Sequence, residues 1–361
     1  MSIKNIAVAV LSAVLGTSVG LAQTAAPANQ SQVFDFSNKP TQQGLQEVAT
    51  ILRTVGDIKQ LSIDSASSAL TVTGTPDELA MTGWIVHQLD QPIPADLSVP
   101  QPTAGSNQQY LVAGKSDDVI QVFHLTTVTP STPQMIQEIL TVLRTVADVQ
   151  KVFNYTGLCD LVVRGPAAQI AFSQYLIGSL DVKPGSVTTS AEFQYPAPGG
   201  GSGVARVFYL AHPSTPQHIQ EILTTLRTVV QIQKVFNYTA LNALAIRASA
   251  SDLAASEFII QSLDIPAAPK MSDGANIREF NMPAIGKDSA SVIHVYYLTN
   301  PITPAQVQET LGILRTVFGI QRTFNNSAPP AVTVRGSADQ VAKADQMILQ
   351  LNKPIQTATA H

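Results

Sequence analysis

Six histidines, one cysteine and four recurring arginines are the groups in this 361-residue chain that could do chemistry. The histidines are His87, His124, His212, His218, His294 and His361. None forms the i, i+4 pair that grips a metal from one helix face, and none recurs at an equivalent place in the repeats of the chain. They read as surface or strand residues, and no metal is expected. Cys159 is the sole thiol, too few for an internal disulfide or a four-ligand zinc site. It reads as a small buried hydrophobe, with a reactive thiol or an intermolecular bridge as alternatives. Gly201-Ser202-Gly203 lacks the five-residue pattern and the strand-to-helix setting of a nucleophile elbow. No glycine-rich phosphate loop runs into a lysine. No catalytic residue and no cofactor is expected.

The composition narrows the classes further. Apolar residues make up 45% of the chain and charged residues 13%, about half the usual charged share. Real cores can be buried, and the net charge of −4 argues against the basic stripe that nucleic-acid binding needs. Residues 1–22 read as a signal peptide: Lys4 supplies the positive start, Ile6–Val19 an uncharged apolar run, and Gly20-Leu21-Ala22 the small-residue cleavage site. The run is short for a membrane span, and the mature chain is expected to be periplasmic or secreted, with no integral span.

The elements that must position these side chains repeat. Leu-Arg-Thr-Val occurs at 52–55, 143–146, 226–229 and 314–317, each time after a Gln-Glu pair at a fixed offset. The stretch 137–156, QEILTVLRTVADVQKVFNYT, is matched by 220–239, QEILTTLRTVVQIQKVFNYT. This is duplication. Each copy opens with a short strand whose alternation is period two, as in Val122-Phe123-His124-Leu125. Thr132-Pro133, Thr215-Pro216 and Thr303-Pro304 then place a capping hydroxyl before a proline at the first helical position. Ile136, Leu140, Leu143 and Ala147 fall on one face of the helix that follows. A middle strand, a third strand and a second helix ending in Leu-Asp or Leu-Asn complete a β-α-β-β-α unit. The expected boundaries are 33–91, 118–183, 204–265 and 291–353. The stretches between them are rich in Pro, Gly and Ser and read as flexible linkers. A linker of some 20 residues spans roughly 25 Å, so the modules are expected to reorient unless neighbours hold them.

The unit resembles the N-terminal modules of bacterial secretins, of the NolW-like, KH-like βαββα type. Three cues carry the likeness: an aromatic-x-Leu strand before the first helix, a strand of the form Asn242-Ala243-Leu244-Ala245-Ile246, and the closing Leu-Asp. The resemblance implies an α+β fold of four tandem modules, each with two helices on one face of a three-stranded sheet. It implies protein partners, either further copies of the chain in a homo-oligomer or secretin and secretion-system components, with an outer-membrane association. The resemblance ends with the fourth unit, so the pore-forming domain of that family is not expected. A binding KH unit needs a Gly-x-x-Gly clamp, which is missing here, so no nucleic acid is expected.

The candidate interaction residues are Arg53, Arg144, Arg227 and Arg315, with the strand aromatics Phe153, Tyr155, Phe236 and Tyr238. Each arginine either covers apolar surface with its stem and bonds helix-end carbonyls, or forks onto a carboxylate of a neighbouring module. The aromatics either pack in the core or form an exposed strip for a partner. Glu138 and its equivalents are expected to be solvated. These features point to a non-enzymatic exported scaffold or adaptor of a secretion or pilus-type system. The alternative is a secreted multivalent binder of a peptide, glycan or surface polymer, with a hydrolase of unrecognised site as a third reading.

Overall fold

The computed structural model describes residues 28–93, 108–115, 117–128, 132–196, 202–212, 215–266, 276–284, 289–298 and 303–352. The expected signal segment, and 94–107, 116, 197–201, 267–275 and 285–288 of the expected linkers, lie outside them.

The described chain is α+β, built of repeated βαββα modules on four antiparallel sheets. Module 1 runs β1 (Gln30–Asp35), α1 (Gln42–Thr54), β2 (Gln60–Asp64), β3 (Ala69–Gly74) and α2 (Pro76–Leu89). Module 2 runs β4 (Gln109–Leu111), β5 (Asp118–His124), α3 (Pro133–Thr145), β6 (Lys151–Tyr155), β7 (Asp160–Pro166) and α4 (Ala167–Leu180). Module 3 holds β8 (Phe193–Pro196), β9 (Ser202–Tyr209), α5 (Pro216–Thr225), β10 (Lys234–Tyr238), β11 (Ala243–Ala248) and α6 (Ala250–Leu263). Module 4 holds β12 (Ile277–Met282), β13 (Ser291–Tyr297), α7 (Pro304–Thr316), β14 (Arg322–Ser327), β15 (Pro330–Gly336) and α8 (Ala338–Leu351).

The third strand of each unit is central: the order is β1-β3-β2 in module 1 and β4-β5-β7-β6 in module 2. Sheets two to four carry a strand more than the three expected. β4, β8 and β12 come from the stretches read as linkers and pair antiparallel with β5, β9 and β13. Those stretches are thus partly spent on covering a sheet edge, which blunts it against stray pairing.

The caps follow the sequence in part. Thr215 and Thr303 accept the amides of His218 and Gln306, and Thr303 completes a capping box. Thr132 makes no side-chain cap bond. At the other end, Asp57, Asp148, Gln231 and Gly319 sit at φ of 60°, 57°, 71° and 67°. That left-handed residue turns the chain so that the next amide returns to the helix, as Ile58 does to Leu52 O at 3.0 Å. The closing Leu-Asp signature also has a job. Asp90 accepts the amides of Ser37 and Asn38, Asp181 those of Thr126 and Thr127, and Asp264 those of Ala211 and His212. The carboxylate ties the second helix to the loop that enters the first.

Candidate functional site: the module junctions

Each first helix carries two apolar stripes. One, such as Leu140 and Leu143, faces its own sheet. The other is Val48 and Ile51 of α1 with Val55 at its C-cap, Ile139 and Val142 of α3 with Val146 at its C-cap, and Ile222 and Thr225 of α5 with Val229 in the π-helical turn 226–230 that continues it, and all nine side chains are fully buried. What buries them is the next module. Val48, Ile51 and Val55 share one core with Ile120, Val122, Tyr155 and Val162 of module 2. Ile139, Val142 and Val146 share one with Val207, Tyr238, Ala243 and Ala245 of module 3. Ile222 and Val229 share one with Ile293, Val295, Tyr297 and Ala331 of module 4. The sheet face left open by a module's own helices is therefore covered by the preceding module's first helix. The expectation of freely reorienting modules is corrected: continuous cores run through all three junctions.

Polar contacts frame each apolar seam. The Glu of the repeated Gln-Glu pair, expected to be solvated, reaches the next module instead. Glu47 accepts the Thr156 amide and hydroxyl, both at 2.8 Å. Glu138 accepts the Thr239 amide at 2.7 Å. Glu221 accepts the Ser327 amide at 2.7 Å and hydroxyl at 2.6 Å. Burial pushes the Glu221 carboxyl up, but the Ser327 bonds, with Gln217, outweigh it and hold it below the ordinary range. At the far end of the first two seams lie opposite charges, and at the third Gln231 takes the place of the acid. Asp57 meets Lys151 and Arg164, and Asp148 meets Lys234 and Arg247.

The candidate arginines lie elsewhere. Arg53, Arg144, Arg227 and Arg315 donate to Leu61 O, Val152 O, Val235 O and Thr323 O, each eight residues on in the same module. These bonds staple the first helix to its own middle strand, and among the described residues no bond from the four guanidinium groups reaches a neighbouring module. Phe153, Tyr155, Phe236 and Tyr238 lie in or against the cores shared at the first two junctions. Tyr155 and Tyr238 are buried and Phe153 and Phe236 partly so, against the preceding module's helix. Burial raises the Tyr155 hydroxyl to about 12, with Glu47, Asp160 and Asp90 adding to it.

Other arginines cross the junctions. Arg164 donates to Val55 O, the C-cap carbonyl of α1, at 2.9 Å, and Arg335 to Val230 O at 3.3 Å. A guanidinium from the next module thus sits at the negative end of the preceding helix. The signal was present: Arg164, Arg247 and Arg335 close the third strands at the same spacing as the helix arginines.

Other clusters have structural geometry. His294 lies 2.9 Å from Asp345 and 3.3 Å from Glu279, and Tyr296 donates to Asp345. Burial drives the Tyr296 hydroxyl far up, so this constellation pins α8 to its sheet without offering a nucleophile. Cys159 is buried, and burial first, then Asp160 and Asp181, raises its thiol to about 12. Among the described residues no group of three metal-ligating side chains gathers, and no helix is long and apolar enough to cross a membrane.

No protein-family model matches the chain, and no curated protein does. Among solved structures it is similar to Aeromonas hydrophila ExeD at 18% identity and TM-score 0.16, over 67% of this chain and 42% of that one. It is similar to the N-terminal domain of the secretin XcpQ from Pseudomonas aeruginosa at 16% identity and TM-score 0.17, over 43% of this chain and 62% of that one. A protein of unknown function from Aeropyrum pernix, APE0754, gives 11% identity and TM-score 0.23, over 42% and 82%. This chain thus spans less than half the length of ExeD. Likenesses at such scores carry no functional weight, and the role of the chain has to be read from its junctions.

Proposed function

We propose that this chain is a non-enzymatic, exported scaffold or adaptor that makes protein contacts in an envelope assembly of the secretion or pilus type. One observation carries the reading: a single helix-on-sheet interface is used three times over in the chain. Its chemistry, an apolar seam framed by a clamping glutamate and, at two of the three junctions, by ion pairs, is that of a surface built to join modules. The beads-on-a-string basis of the multivalent-binder alternative weakens, because the described modules are packed and not free. The Asn-x-Leu strand and closing Leu-Asp support the finer, NolW-like assignment, and the signal-like segment supports export.

The test is photo-crosslinking of the full chain in living Gram-negative cells, with probes at exposed positions of modules 1 and 4. The expected result is a discrete adduct with an envelope protein or with a further copy. A chain that stays strictly monomeric at high concentration and yields no adduct would overturn the proposal.

A further inference from the structure

The three junctions define what a first helix of this class needs on its outer stripe, and α7 carries the stripe with only its first position covered: Thr310 is buried, while Ile313 is half-buried. Thr310, Ile313 and Val317 stand where Ile139, Val142 and Val146 stand in α3. Val317 is 69% exposed, while its three equivalents Val55, Val146 and Val229 are at 0%. Glu309 occupies the place of Glu47, Glu138 and Glu221. It is exposed and has no hydrogen bond or ion pair among the described residues. An exposed valine at a helix end is ordinary by itself. An exposed valine and an unused glutamate, at the two ends of a stripe buried in every other copy, are a seam lacking its second half.

We infer that the outer face of α7 is a docking site for one further sheet of the same class, carried by a different chain. The partner's chemistry follows from continuity with the three existing interfaces. It must present aromatic or aliphatic side chains at alternate positions of its middle and central strands, to cover Ile313 and Val317. It must offer a strand-end amide, best with a hydroxyl as in Thr156 and Ser327, to Glu309. It must bring a guanidinium to the last carbonyls of α7, as Arg164 and Arg335 bring theirs to Val55 and Val229–Val230.

A second copy of this chain does not meet those terms. The only sheet face not already covered by a helix of the described modules is that of module 1, and apart from Val33, 54% exposed, the side chains it offers are polar. Gln60, Ser62, Asp64 and Thr73 stand where Lys151, Phe153, Tyr155 and Arg164 stand in module 2. Asp64 is engaged with the Ala66 amide and the Ser67 hydroxyl of its own turn, and docking would set its charge beside Glu309. Module 1 behaves as a polar cap, as terminal repeats of solenoids do, and gives the stack one closed and one open end.

The inference rests on the scaffold reading and names the partner's chemistry, yet its test needs no envelope protein. Module 1 of the full chain is given the receiving residues through Gln60→Lys, Ser62→Phe, Asp64→Tyr and Thr73→Arg, and the mass is followed by analytical ultracentrifugation against concentration. The grafted chain is expected to associate head to tail, and Glu309→Ala or Val317→Asp on that background to return it to the monomer. Wild type is expected to stay monomeric. If the full graft perturbs module 1, the pair Ser62→Phe and Asp64→Tyr, both at exposed positions, is read the same way. A folded graft that remains monomeric, or that associates regardless of the α7 variants, would refute the docking site. Wild-type association that depends on Glu309 and Val317 would refute the assignment to a different chain. A chain that stays monomeric and yields no cross-linked adduct of either kind would sink the scaffold proposal and leave this result standing.

Discussion

The Glu221 carboxylate holds the amide and hydroxyl of Ser327 at 2.7 and 2.6 Å, across 106 residues of sequence. The bond joins the helix of module 3 to the strand end of module 4, beside an apolar seam that does most of the holding. Because the carboxyl is held below its ordinary range, its stabilising effect is present above the unfolded-state value of about 4.3 and is lost as pH falls through the folded one. Glu221→Ala is expected to cost about 1–2 kcal/mol at neutral pH, and the cost should vanish in acid. Urea denaturation of both proteins from neutral to acid pH checks this; a difference that persists unchanged into acid would count against the clamp.

Tyr238 is the aromatic anchor of the second junction, fully buried against Ile139, Val142 and Val146. Truncating a buried aromatic costs about 3–5 kcal/mol, and here the loss falls on an interface between modules. A stack of repeats unfolds as one only while its interfaces are strong. Tyr238→Ala is therefore expected to split the calorimetric unfolding into two transitions, where Val33→Ala, on the uncovered face of module 1, leaves it unchanged. A single transition at the wild-type midpoint would show that the junction does not couple the modules.

The modules themselves were legible because local rules fix them. Alternation in Val122–Leu125, the Thr-Pro helix starts and the Ile136–Ala147 stripe each depend on near neighbours in sequence. The junctions were not, because a stripe such as Ile139-Val142-Val146 looks like extra core until the partner sheet is known. Glu138 shows the same blindness: an acidic residue on a helix defaults to solvent, and only the Thr239 amide, 101 residues on, gives it a role. Arg144 misled for the opposite reason. Its recurrence was real, but its bond to Val152 O is internal to the module. The extra edge strands were hidden in stretches whose Pro, Gly and Ser content reads as linker.

Asp148 meets Lys234 and Arg247 of module 3 while sitting at φ 57°. Burial raises its carboxyl, but the bonds and charges of Lys234 and Arg247 outweigh that and hold it low. Asn tolerates the left-handed backbone, so Asp148→Asn removes the charge alone. The carboxylate is 42% exposed, and exposed pairs are weak and screened. A loss of about 1 kcal/mol or less is expected, shrinking as salt is raised. The measurement is denaturation midpoint against ionic strength, and a salt-independent loss would point to backbone strain instead.

His124 and Asp160 face each other as paired residues of β5 and β7 and share a hydrogen bond inside the first junction. Burial raises the Asp160 carboxyl to about 6, with His124 opposing that shift. The bond to Asp160 raises the His124 imidazole, which burial opposes. Both shifts have one sign: the folded pair holds a proton more tightly than the unfolded chain, where Asp releases it near 3.9 and His near 6.5. Wherever the folded state binds more protons, stability falls as pH rises. The pair's contribution is complete below the unfolded values and drains away as pH climbs through the folded ones. The denaturation midpoint of the wild type is thus expected to decline as pH rises from about 4 through about 6, where the folded Asp160 gives up its proton, and to decline further as the folded His124 loses its own above the ordinary imidazole range. Asp160→Asn, which keeps a polar partner for His124 but removes the ionisable carboxyl, should flatten that limb. If wild type and variant decline in parallel, some other group supplies the slope and the shared proton is not held as described.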